Sequence, residues 1–138
     1  MTELQAIHFK TNGKNDIINI TDQLVNIVLN SRISTGQLLV FVPGATGALS
    51  TIEYEPGLIK DLPELMEKLI PEKELYHHNE TWHDGNGHSH LRATLIGPSL
   101  SIPFENNQLI LGTWQQIVFL EFDNKSHNRK IAVQLMGD

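Results

Sequence analysis

The chain has no cysteine. That absence excludes disulfides, thiolate metal centres, iron–sulfur clusters and cysteine nucleophiles. Long apolar runs are missing too: no stretch approaches the ~18 uninterrupted apolar residues of a membrane-spanning helix. The start, Met1-Thr2-Glu3-Leu4-Gln5, lacks the basic-then-apolar layout of a signal peptide. A cytoplasmic location is the expectation, and the Asn-x-Thr triplets at Asn19 and Asn79 carry no weight in it. Basic residues are few, with 10 Lys and Arg against 16 Asp and Glu and a formal charge of −6. No Lys/Arg run is available to neutralise phosphates, which argues against nucleic acid as a partner. What remains is globular: 40% hydrophobic and 19% charged residues, which sets aside disorder and coiled coil. A length of 138 residues suits a single domain covering residues 1–138, with a core that needs no staples.

Alternation from Leu4 to Lys10 predicts a strand, Asn12-Gly13-Lys14-Asn15 a turn, and Asp16 to Ile20 renewed extended structure. Thr21 and Asp22 can cap a helix through Ser31, with Leu24, Val25, Val28 and Leu29 as its apolar stripe. Gln37 to Val42 is a nearly continuous apolar run, expected of a strand covered on both faces. A second helix is predicted over Leu58 to Ile70, with a start at Asp61 as the alternative and Leu62, Leu65, Met66, Leu69 and Ile70 facing inward. Glu72 to Asn86 has no assigned structure. From His88 onward the pattern reads as strands: Leu91 to Ile96, Leu100 to Pro103, Gln108 to Leu111, Thr113 to Phe122 and Arg129 to Met136. The predicted fold is α+β, a mostly antiparallel β sandwich or barrel-like sheet with two helices to one side.

Histidine placement is the strongest chemical signal. Five of the seven histidines, His77, His78, His83, His88 and His90, fall between residues 77 and 90. On a strand, His88 and His90 at i, i+2 would project from one face, with Cβ atoms about 6–7 Å apart, close enough to share a divalent ion. His78 is the candidate third ligand, with Glu53 or Asp84 as alternatives, leaving one position for water or substrate. The competing reading is a polar surface loop. Asp84-Gly85-Asn86-Gly87 permits tight turns that present Asp84 and Asn86 to the same place. Gly44 to Gly47 follows a buried strand but lacks the lysine and spacing of a P-loop. Glu53 is a candidate general base or outer-shell carboxylate. No Gly-x-Ser-x-Gly elbow exists, and the glutamate that a cupin places after His-x-His is absent.

His78, Asn86, His90-Leu91-Arg92, Gly97-Pro98-Ser99 with Pro103, and Leu111-Gly112-Thr113-Trp114-Gln115 together resemble the YjbQ-like family. Glu53, Asp61, Asp123 and Arg129 extend the resemblance nearly end to end. The resemblance implies a homotrimer with a histidine-lined pocket near subunit boundaries, and secondary thiamine-phosphate synthase activity. The family places His-Thr-[Thr/Ser] where this chain has Gly44-Ala45-Thr46, so one ligand is missing and His88 is its candidate replacement.

The expected function is metal-assisted chemistry on a small phosphorylated substrate. His78, His88 and His90 would hold a divalent ion, zinc or magnesium, with Glu53 and Arg129 as catalytic groups. Thr46, Asn86, Trp114 and Gln115 would line the ligand site. The alternatives are a non-catalytic homotrimer that binds a metabolite or anion, and a structural assembly protein.

Overall fold

β1 (Thr2–Lys10) and β8 (Asn128–Gly137) are long alternating strands that pair antiparallel over nine residues, Thr2 opposite Met136 and Lys10 opposite Asn128. β8 also pairs with β3 (Gly36–Phe41), and β3 with β5 (Ser99–Glu105), whose hairpin partner is the short β6 (Gln108–Leu109). The five form one antiparallel sheet in the order β1-β8-β3-β5-β6. β2 (Asp16–Asn19), β4 (Gly47–Glu53) and β7 (Gln115–Glu121) make a second sheet in the order β2-β7-β4. These elements belong to a computed structural model that describes residues 1–138. No helix is long and apolar enough to cross a membrane.

Two apolar clusters hold the layers together. The larger joins both sheets to α1 (Thr21–Leu29) through Leu38, Val40, Ile117, Phe119, Ile131, Val133 and Leu135. The smaller lies beyond the second sheet, where α2 (Pro56–Leu69) and α4 (Gly87–Ile96) contribute Met66 and Ala93 against Ile17, Val118 and Leu120. Strand β7 therefore alternates Ile117 and Phe119 toward one cluster with Val118 and Leu120 toward the other. Its two apolar faces are explained by helices covering the second one.

The α+β class with antiparallel sheets stands, and the helix count does not: α3 (His77–Trp82) and α4 bring it to four. α4 replaces the strand expected from Leu91 to Ile96. α1 buries Ile27 with Leu24 and Val28, whereas Val25 and Leu29 are exposed. Thr21 does not cap it. Its hydroxyl accepts from the Ile117 N–H and donates to the Ile117 carbonyl, tying the helix start to β7. α2 begins at Pro56, capped by the Glu55 carboxylate, which accepts from the Gly57 and Leu58 N–H groups, and it carries Pro63 within. Of its predicted inward stripe, Met66 is buried but Leu65 and Leu69 are exposed. β3 is covered on one face only: Leu38 and Val40 are inaccessible, while Leu39 and Phe41 are about two-fifths exposed.

Candidate functional site

The polar centre of the molecule lies at one end of the second sheet, where Gly47 of β4 and Asp16 of β2 both stand opposite Glu121 of β7. Glu121 is the anchor. A carboxylate with no solvent exposure must be paired, and Arg129 of β8 donates to it from both Nε and Nη2. Thr11 Oγ1 adds a third donor at 2.8 Å. Nη2 of Arg129 also donates to Thr46 Oγ1 at 3.0 Å, and its guanidinium packs 5.4 Å from the Phe119 ring centroid.

Two residues past Glu121, the buried Asp123 carboxylate collects donors of its own. His127 Nε2 lies 2.6 Å from Oδ2, Asn124 N–H donates to Oδ1 at 2.7 Å, and Asn86 Nδ2 donates to Oδ1 at 3.3 Å. Burial works to raise the Asp123 carboxyl. The bonds from His127, the Asn124 backbone and Asn86 outweigh it and hold the group below its ordinary value. A further loop crosses above, pinned where Asn124 Nδ2 donates to the Gly85 carbonyl. Ala45, Thr46, Asp84, Asn86, His90 and the Asp123–His127 turn enclose an open, polar cleft of about 410 Å³. Lys125 stands on its rim.

Asn86 is the hinge between this cleft and the histidines. Its side-chain oxygen lies 2.9 Å from His78 Nε2, which is itself 3.5 Å from Asp84 Oδ1. The His78 and His90 rings approach to 4.4 Å between centroids. Two chain segments expected to meet are therefore adjacent: α3 carries His78, and α4 carries His90 and, just before its start, Asn86.

His88 does not join them. The His-x-His lies on a helix, where residues two apart point to nearly opposite sides. His88 is buried away from the cleft, with its Nδ1 unpartnered. Burial, then Arg92, pushes its imidazole below the ordinary value. Arg92 is also committed, donating to the Ile70 carbonyl, Asn15 and Glu67. The set His78, His88 and His90 is thus not assembled, and no three His, Asp or Glu side chains converge.

The other candidates divide by strand end. Thr46 lines the cleft, its hydroxyl lying between Asp123 and Arg129. Arg129 borders the site, with Nε committed to Glu121 and Nη2 shared between Glu121 and Thr46. Glu53 stands opposite Gln115 at the far end of β4, about 20 Å from Gly47 at ~3.3 Å per residue. Gln115 braces its turn, accepting from Gly112 N–H and donating to Thr51, and Trp114 is 71% exposed. Within one chain Glu53, Trp114 and Gln115 do not meet the histidines. Asp123 and His127 went unnoticed as a functional pair. The available signal was Glu121 and Asp123 ending an apolar strand, since acids there need buried partners.

Residues 5–138 match the model of the UPF0047 protein YjbQ-like family. A UPF0047 protein of Archaeoglobus fulgidus is 45% identical over 126 residues, covering 91% of this chain and 96% of its own. The UPF0047 protein YugU of Bacillus subtilis is 32% identical over 136 residues, 97% and 99% of the two chains. Among solved structures, a YbjQ-like protein of unknown function from Sulfolobus solfataricus superposes with a TM-score of 0.90 at 30% identity, over 100% of each chain. A hypothetical protein from Aeropyrum pernix gives 0.91 at 32% identity over 99% of each. Matching over nearly its whole length in both sequence and fold, this chain belongs to the UPF0047 YjbQ-like family.

Proposed function

We propose that the chain is a metal-assisted enzyme acting on a small phosphorylated substrate in the cleft between Asp84 and His127. The Asp123–His127 pair carries this reading. A buried, ionised carboxylate 2.6 Å from one ring nitrogen fixes the imidazole tautomer and leaves the other nitrogen to accept or release a proton. Thr46, Asn86 and the Asn124 backbone keep Asp123 from turning, so the histidine is held ready. Lys125 on the rim supplies the positive charge a phosphate needs, a role that the paired Arg92 and Arg129 cannot fill as freely. A divalent ion, when bound beside this pair, supplies further charge neutralisation.

The family resemblance brings a specific reaction, thiamine-phosphate formation, in which a thiazole phosphate displaces pyrophosphate from a pyrimidine diphosphate. In support stands the polar cleft with its single free cation. The assembly proposed with it is a homotrimer, supported by the uncovered outer face of the first sheet, where Leu39, Phe41 and Met136 are exposed. Pyrophosphate release from the two substrates, with Mg²⁺ present, tests the reading. The expected result is turnover that falls about 10²–10⁴-fold in His127→Gln. Ligand-induced stabilisation without release would overturn the enzyme in favour of a metabolite- or anion-binding trimer.

A further inference from the structure

We infer that the turn from Gly44 to Gly47 seats the phosphate group of a ligand, with Nη1 of Arg129 as its principal donor and Lys125 as the charge that draws it in. The inference rests on the reading of the cleft as the place of a phosphorylated substrate, and it locates the anion at the connection between β3 and β4.

The first observation is an unused nitrogen. A guanidinium carries five N–H groups in a rigid fork. Arg129 commits Nε to Glu121 and divides Nη2 between Glu121 and Thr46, while Nη1 donates to no protein group. The side chain is only one-tenth exposed. It cannot swing to find a partner, because Glu121 fixes one edge of the fork and its plane packs 5.4 Å from the Phe119 ring centroid. The charge of Arg129 is matched by Glu121, yet the hydrogen-bonding capacity of Nη1 is intact.

The second observation is what that nitrogen faces. A Cβ at Gly44 would lie 3.2 Å from Nη1, with Val42 Cγ2 next at 3.9 Å. The absent side chain is what leaves Nη1 open. Gly47 has the opposite use: a Cβ there would lie 2.4 Å from Phe119 Cζ, so the turn rests directly on the ring that also packs the guanidinium. Between the two glycines, the N–H groups of Ala45 and Thr46 donate to no protein acceptor, and both residues line the polar cleft.

Donor chemistry selects the ligand. The neighbouring carboxylates are already occupied, Glu121 by Arg129 and Thr11, and Asp123 by His127 and the Asn124 N–H. What the turn has left to offer is donors, and an oxyanion is the group that fits donors without free acceptors. A phosphate, with three terminal oxygens, can meet Nη1, the turn and Lys125 across the cleft together. A carboxylate has one oxygen too few. The Gly44 to Gly47 turn lacks the lysine of a P-loop, and Arg129 supplies the basic group from β8 instead.

The test is isothermal titration calorimetry of the full-length protein with inorganic pyrophosphate, in EDTA so that no metal ion carries the anion. One pyrophosphate per chain is expected. Gly44→Ala sets a methyl against Nη1 while leaving the Glu121 pair in place, and should weaken binding about tenfold with little change in thermal midpoint. Gly44→Asp fills the seat with its own carboxylate and should abolish binding. Lys125→Met should weaken binding and flatten its dependence on salt. Gly112→Ala, where a Cβ meets nothing closer than 3.6 Å, should bind as the wild type does. Wild-type protein that takes up no pyrophosphate at millimolar concentration overturns the inference, and so does wild-type affinity in Gly44→Ala or Gly44→Asp. Pyrophosphate held at the turn without turnover leaves this site standing and removes the enzyme reading, whereas turnover unchanged in Gly44→Ala does the reverse.

Discussion

Glu121 and Arg129 set the cost of building a polar site inside a sheet. Glu121 has no exposure and Arg129 about one-tenth, so each is solvated chiefly by the other and by Thr11 and Thr46. Removing one partner strands a buried charge, a loss of about 3–5 kcal/mol. Arg129→Ala should lower the urea midpoint accordingly. Adding Glu121→Gln to it should restore part of the loss, because the stranded charge is gone; additive losses in the double-mutant cycle would contradict the pairing. His88 provides a second test at the same scale. Burial and Arg92 hold its folded-state value below the ordinary 6.5; Glu72 and Glu67 oppose them more weakly, and Lys14 adds slightly to the lowering. Below pH about 6.5 the unfolded chain takes up a proton that folded His88 refuses. Stability is therefore full above that pH and is lost as pH falls toward the lowered value. Thermal melts of wild type and His88→Gln from pH 8 to 5 should show the acid-side decline shallower in the variant; parallel curves would refute it.

Elements succeed or fail with the glycines that let them approach. β3 and β8 pass so closely that a Cβ on Gly36 would lie 2.1 Å from the Met136 carbonyl oxygen and 2.9 Å from the Gly137 Cα. Both neighbours are backbone and cannot rotate aside. Gly36→Ala should destabilise by ~3 kcal/mol, the upper part of the overpacking range, and Gly112→Ala, where the nearest atom is 3.6 Å away, should change little; equal melting points would count against the packing. The strands were legible in sequence because alternation, or an apolar run ended by Gly or Pro, reports directly on a pleated face. α4 was not. Its apolar residues, Leu91, Ala93, Leu95 and Ile96, fit alternation as well as a helix stripe, and of them only Ala93 is buried. That ambiguity placed His88 beside His90 and misdirected the ligand set. The proximity of His78 to His90 and Asn86 was legible because both segments stand out by residue type, whatever element they form. The Asp123–His127 pair was hidden because its partners, Thr46 and Asn86, come from segments 77 and 37 residues away in sequence.

The first sheet is covered on one side only. On its outer face Leu4, Gln134, Leu39 and Ser101 stand opposite one another across four strands, with Met136 and Phe41 on the neighbouring rows. Leu4 is 73% exposed, Met136 49%, and Leu39 and Phe41 about two-fifths. An apolar run such as Gln37 to Val42 is characteristic of a strand with a layer on each side, and within one chain the second layer is missing. In the homotrimer proposed above, a neighbouring copy supplies it. A charge on this face would have to be buried against that neighbour, whereas in a monomer it would simply be solvated. Light scattering of the wild-type protein should give three times the 15.5 kDa chain mass, and Leu39→Lys should shift it toward one chain without unfolding the domain. A wild-type mass of one chain would sink the trimer. An intact trimer in Leu39→Lys would instead move the contact to the other exposed aromatic end, at Ile110 and Trp114. Either of those masses also bears on Glu53 of β4 and Gln115 opposite it on β7, which lie about 20 Å from the cleft and reach a cleft only if it is one on a neighbouring copy.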